Sequence, residues 1–192
     1  MKGYDYSSPG FYFVTICTRN REKLLCEIVN GTPIMARFGD IVQEEWEMLP
    51  GRFPNVELGE FTVMPNHVHG IIRSVGAGLA PARNSRMSES AVGSAVKGSP
   101  ATFSEVRAGA SPAPTHRLGE IIGAFESLSD RRCRSAYTSN NPGKRFGRLW
   151  QRNFHDRVIR DDIELKEIRE YIRTNPSTWE RDENYVNTKN QI

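Results

Sequence analysis

Residues 75–115 set the main limit on what this chain can fold into. Gly, Ala, Ser and Pro fill 25 of those 41 positions, and Phe103 is the one aromatic residue among them. Such a stretch buries too little apolar surface to offset the entropy lost on ordering it, so it reads as a flexible insert without a catalytic part. Setting it aside leaves 151 of the 192 residues, enough for a sizeable core. The expected organisation is one domain over residues 1–192, interrupted at about 75–115.

The ends of the insert carry a second signal. Val75-Gly76-Ala77-Gly78-Leu79-Ala80-Pro81-Ala82-Arg83 opens it, and Arg107-Ala108-Gly109-Ala110-Ser111-Pro112-Ala113-Pro114-Thr115 closes it. One permitted coding of the first is GTA GGG GCA GGG CTT GCG CCT GCC CG. Its reverse complement, completed by one base, translates to the second, residue for residue. This points to a palindromic, hairpin-forming DNA element that entered the gene in frame; a low-complexity linker of convergent composition is the rival reading. The gene is expected to show codons that pair across the two segments, and codons that cannot pair would refute the idea.

No run of about 18 apolar residues occurs, which excludes a transmembrane helix. Met1-Lys2-Gly3-Tyr4-Asp5 lacks the apolar stretch of a signal peptide. Cys17, Cys26 and Cys133 are odd in number and far apart, so neither a disulfide framework nor a zinc knuckle is expected. A cytoplasmic setting fits best.

Local patterns give a coarse fold. Phe11 to Thr18 is rich in β-branched and aromatic residues and reads as a central strand. Arg19 to Thr32 reads as a loop or short hairpin. Phe38, Ile41, Val42, Trp46 and Leu49 recur at helical spacing up to Pro50-Gly51. Val56–Met64 and His67–Arg73 read as a strand pair turned at Pro65-Asn66. Leu118, Ile121, Ile122, Phe125 and Leu128 mark a helix, Tyr137–Gly147 a loop, and Leu149–Ile159 a fourth strand. Asp161 or Asp162 caps a last helix with the stripe Leu165, Ile168 and Ile172, ended by Asn175-Pro176. The order β-α-β-β-α-β-α predicts an α+β, ferredoxin-like antiparallel sheet with helices on one face.

Charge is placed unevenly. Residues 131–160 carry nine basic side chains and one acid, Asp156. Arg131, Arg132, Arg134, Lys144, Arg145, Arg148, Arg152 and Arg157 are candidates for phosphate contacts, and Trp150 for stacking on an unpaired base. A solvated basic face is the competing reading.

His67-Val68-His69 lies on a predicted strand, where alternation turns both imidazoles to one face. That spacing suits two ligands on one metal ion, although a structural His pair fits it too. Tyr171 and Asn175 are four apart on the last helix and share a face. The Asn175 amide oxygen offers a third, harder ligand, and the set suits Mg²⁺ or Mn²⁺ with positions left for phosphate oxygens. Tyr171 would then stand near a metal-bound phosphate. A tyrosine at the core margin and an asparagine C-cap explain the same two residues structurally.

Four segments taken together carry a resemblance. They are Tyr4-Asp5-Tyr6-Ser7-Ser8-Pro9-Gly10-Phe11-Tyr12-Phe13-Val14-Thr15, Met64-Pro65-Asn66-His67-Val68-His69-Gly70, Leu149–Arg160 and Tyr171-Ile172-Arg173-Thr174-Asn175-Pro176. They resemble the REP-associated tyrosine transposases of the single-tyrosine HUH (His-hydrophobic-His) superfamily, over about residues 4–180 apart from the insert. The resemblance implies an HUH endonuclease/transposase fold, a divalent metal on His67 and His69 with Asn175 completing the site, and Tyr171 as nucleophile. It implies cleavage and rejoining of single-stranded DNA beside a REP-like hairpin through a 5′-phosphotyrosine, by a monomer or homodimer associated with the bacterial nucleoid.

The chain departs from that pattern at three points. Glu126 stands where a lysine usually follows the helix phenylalanine, here Phe125. The basic segment that often precedes Tyr4 is absent apart from Lys2. The insert follows the metal strand directly. A hairpin-binding remnant that no longer cuts is therefore an alternative, and a metal hydrolase without a covalent step is a third. His116, His155 and Glu167 are lesser candidates for the site.

Overall fold

The computed structural model describes residues 9–75 and 117–185. Most of the insert, His116 and the segment around Tyr4 lie outside the described residues.

The strands are β1 (Gly10–Cys17), β2 (Cys26–Val29), β3 (Thr32–Met35), β4 (Val56–Met64), β5 (His67–Ser74) and β6 (His155–Ile159). The helices are α1 (Arg37–Glu47), α2 (Leu49–Arg52), α3 (Leu118–Asn140) and α4 (Asp162–Thr174). Four strands form one antiparallel sheet in the order β4-β5-β1-β6, and β2 pairs with β3 as a separate hairpin. Adjacent antiparallel strands with β1 next to the β4–β5 pair give the expected ferredoxin-like α+β arrangement.

β1 is central, as its apolar run predicts, with β5 on one side and β6 on the other. Alternation divides its residues between two faces. Tyr12, Val14 and Ile16 join Ile41, Val42 and Trp46 of α1 and Ile121, Ile122 and Phe125 of α3 in one core. Phe11 and Phe13 face the other way, onto a second cluster of Ile71, Ile159, Leu165, Ile168 and Ile172. The expectation of helices on one face is thus corrected: α1 and α3 share a face, while α4 covers the opposite one. An apolar stripe on a helix says that it packs, not on which side of a sheet.

Other boundaries shift for identifiable reasons. The hairpin lies at Cys26–Met35, turned by Asn30 and Gly31, both at positive φ. Pro50 does not stop the helical region; it starts the short α2, where a missing N–H costs nothing. α3 runs on to Asn140, because Pro142-Gly143 is the first strong breaker after Leu118. β6 begins only at His155, and Trp150 makes a single bridge to Thr18. α4 matches its expected bounds, with the Asp161 side chain accepting from the Glu164 N–H at 2.8 Å.

Gly70, next to the histidine pair, is fixed by packing. A Cβ there would lie 2.4 and 2.6 Å from two ring carbons of Trp46. That ring is already held between Phe61, stacked at 4.6 Å, and Phe125, edge-on at 5.4 Å. Gly70→Ala is expected to cost about 1–3 kcal/mol in chemical denaturation, the range for overpacking a filled core. Gly123→Ala, inside α3 with a Cβ that would meet nothing, is expected to stabilise the protein by about 0.5–1 kcal/mol. Equal effects from the two would refute the packing account.

Among the described residues, no helix is long and apolar enough to cross a membrane.

Candidate metal and nucleophile site

The His67 and His69 side chains point from β5 onto the α4 face of the sheet, opposite Cys17 and Thr15 of β1 in register. Both are fully buried, and their Nε2 atoms lie 3.0 Å apart. Each ring is aimed by its other nitrogen. The Asn66 amide nitrogen donates to the Arg21 and Asn184 carbonyls, so its oxygen is turned to His67 Nδ1 at 2.9 Å. His67 therefore carries its proton on Nδ1 and keeps the Nε2 lone pair for the site. His69 Nδ1 lies 2.9 Å from Thr15 Oγ1. Burial and the neighbouring His69 push the His67 pKa down to about 3, so the ring is neutral at ordinary pH.

α4 brings Tyr171 over this pair. Its hydroxyl lies 3.3 Å from His69 Nε2 and donates to Asp182 Oδ2 at 3.1 Å. Its ring meets His69 at 5.2 Å and Phe13 edge-on at 6.1 Å. At 39% exposure it is the one member of the group open to solvent. Burial and the Asp182 charge raise its pKa above the ordinary phenol value.

Asp182 completes the cluster, and the sequence reading missed it. Its carboxylate lies 4.0 Å from His67 Nε2 and 3.9 Å from His69 Nε2. Burial alone would raise its pKa; the neighbouring His69 imidazole, together with hydrogen bonds from the Asn175 amide and the Asn184 N–H, outweighs that and holds it well below the usual carboxylate range. His67, His69 and Asp182 offer ligand atoms within 4.8 Å of one another. Asp182 arrives here because the chain past α4 makes the 3₁₀ turn Asn175–Arg181, pinned by buried Trp179 at 5.8 Å from the His67 ring. No spacing rule announces such a return.

Asn175 is buried at the end of α4, one turn after Tyr171. Its nitrogen donates to Asp182 Oδ2 at 2.6 Å, and its buried Oδ1 has no hydrogen-bond partner. The two imidazole nitrogens and the carboxylate are a donor set that could hold a metal ion. Glu167 is exposed and outside the cluster, and His155 is exposed at the start of β6.

The basic segment divides. Arg131, Lys144, Arg145, Arg148 and Arg152 are exposed. Arg132 is tied to Glu44 and, at 2.8 Å, to Glu45 of α1, Arg134 pairs with Asp130 at 2.7 Å and Arg157 with Glu164 at 2.6 Å. Trp150 does not stand free to stack on a base. It is buried at 4% exposure, tilted against Phe125, with its Nε1–H donating to Ser129 at 2.8 Å.

No family model matches the chain. Over 187 residues it is 34% identical to a Haemophilus influenzae protein described only as uncharacterized, covering 97% of this chain and 91% of that one. The chain belongs to the same family as that protein. Its fold is similar to the solved structure of a REP-associated tyrosine transposase bound to a REP hairpin. The TM-score is 0.55, at 16% sequence identity over 93% of this chain and 74% of the other. The chain thus shares the fold of that transposase, the fold the motif resemblance implies.

Proposed function

We propose that this protein is a metal-dependent, transposase-like strand transferase that cuts and rejoins single-stranded DNA beside a REP-type hairpin, with Tyr171 as nucleophile. The observation that carries the reading is the partly exposed Tyr171 hydroxyl, 3.3 Å from one buried histidine of the pair and 3.1 Å from Asp182. His67, His69 and Asp182 would hold the cation, with Asn175 beside them; the cation would neutralise charge on the scissile phosphate and favour the phenolate.

The residues perform the rest. The Tyr171 oxygen attacks the phosphorus, a P–O bond forms and the bond to the 3′ oxygen breaks. The phenol proton leaves to solvent, to which Tyr171 is open, and the departing 3′ oxygen takes a proton from water to become a hydroxyl. The phosphotyrosine keeps the energy of the diester, so the 3′-hydroxyl of another strand can reverse the step without ATP. Arg131, Lys144, Arg145, Arg148 and Arg152 are the candidates for holding the DNA backbone. DNA as substrate places the protein at the cytoplasmic nucleoid.

The test is a labelled single-stranded oligonucleotide bearing the hairpin from the gene's own neighbourhood, incubated with Mg²⁺ or Mn²⁺. Cleavage that stops with EDTA supports the proposal. Tight binding without cleavage under any metal supports the hairpin-binding remnant.

A further inference from the structure

A cleft of about 300 Å³ opens between α3 and the segment leading to β6, away from the histidine pair, lined by Gly123, Glu126, Arg134, Arg148, Trp150 and Arg152 among others. Glu126 Oε1 is buried in it with no hydrogen-bond partner. An unsatisfied buried acceptor is costly, so the geometry asks for a donor from outside. Arg148 is near enough to favour the ionised form of Glu126, yet forms no ion pair with it. Arg134 is occupied by Asp130. Burial pushes the Glu126 carboxyl up to about 7, as expected for an acid whose partner is absent.

The walls say what shape the partner has. Gly123 lies one turn before Glu126 on α3, and a Cβ there would meet nothing, so space stays open beside the carboxylate. The Trp150 Nε1–H is already spent on Ser129, which leaves that residue as apolar lining rather than a hydrogen-bonding group. The cleft therefore presents a carboxylate that accepts, an arginine that donates and an apolar surface. Every base sets a donor beside an acceptor on that edge, but guanine alone offers two adjacent N–H donors, N1–H and N2–H, next to the O6 acceptor, the pattern a carboxylate with two oxygens can take whole. Resting on the single-stranded-DNA reading above, we propose that this cleft reads an unpaired guanine. Glu126 accepts from N1–H and N2–H, Arg148 donates to O6, and Arg152 lies toward the adjoining phosphate. The acid at this position is then a specificity element, not a flaw in the basic face.

The experiment compares thymidine oligonucleotides carrying one central guanine, inosine or adenine, or none, by fluorescence anisotropy at fixed salt. Wild type is expected to bind the guanine form about tenfold more tightly than the adenine and all-thymidine forms, in line with a good bidentate base contact. Inosine, which lacks the N2 amine but keeps N1–H and O6, should bind between the guanine and adenine forms. Glu126→Gln and Glu126→Ala should abolish the preference without weakening binding of the all-thymidine strand. A preference that survives in both variants, or is missing from wild type, overturns the proposal. Binding of dGMP against dIMP, followed by the Trp150 indole N–H resonance, separates the two readings. A dGMP-specific shift with no oligonucleotide binding would keep the guanine cleft and sink the DNA reading. Oligonucleotide binding with no dGMP-specific shift and no guanine preference would do the reverse, and no binding of either kind would sink both.

Discussion

Tyr171→Phe is expected to abolish the covalent protein–DNA adduct while leaving hairpin affinity within about twofold. The change removes one oxygen. The ring keeps its contacts with His69 and Phe13, so the histidine pair stays covered as before. The lost hydrogen bond to Asp182 is partly exposed and should cost about 0.5–1.5 kcal/mol of stability, too little to unfold the chain. The phenol is a poor nucleophile as it stands, because burial and the Asp182 charge raise its pKa. Wild-type cleavage at saturating metal should therefore increase with pH as the phenolate fraction grows. Cleavage by Tyr171→Phe at the wild-type rate would mean that water is the nucleophile and would favour the hydrolase reading.

Replacing His67 and His69 together by Ala should remove both metal-dependent cleavage and metal-dependent stabilisation. His67 is neutral near pH 7, so protons do not compete with a cation for its Nε2 lone pair. A ligand present at 100 times its Kd stabilises the folded state by about 2.7 kcal/mol, which is several degrees of Tm for a chain of this length. Mn²⁺ should give wild type that shift in a thermal melt and give the double variant none, with salt-sensitive DNA binding retained. An unchanged shift in the variant would place the cation elsewhere.

The parts of the fold that the sequence makes legible are those set by local pattern. β4 and β5 fall where alternation and Pro65-Asn66 place them, and α4 falls between its aspartate cap and Asn175-Pro176. Strand and helix periodicity puts His67 with His69, and Tyr171 with Asn175, on shared faces; the resemblance joins the two pairs, and in the fold Tyr171 stands 3.3 Å from His69 while Asn175 lies against Asp182. Asp182 is illegible because its position depends on the 3₁₀ turn and on Trp179 packing beside His67. Trp150 and Arg132 mislead for a related reason. Their partners, Ser129, Phe125, Glu44 and Glu45, lie 21 to 88 residues away, and no local rule reports such pairings. Glu126 stands out in the sequence only as a departure from the resemblance; the cleft around it comes from the packing of α3 against the segment before β6.

The most direct test of the central claim is mass spectrometry of the protein after reaction with a single-stranded hairpin oligonucleotide and Mn²⁺, followed by nuclease and protease digestion. The account predicts a nucleotide mass on the peptide containing Tyr171, absent with EDTA and absent from Tyr171→Phe. Cleaved DNA with no modified peptide, or a modification on another residue, would contradict it.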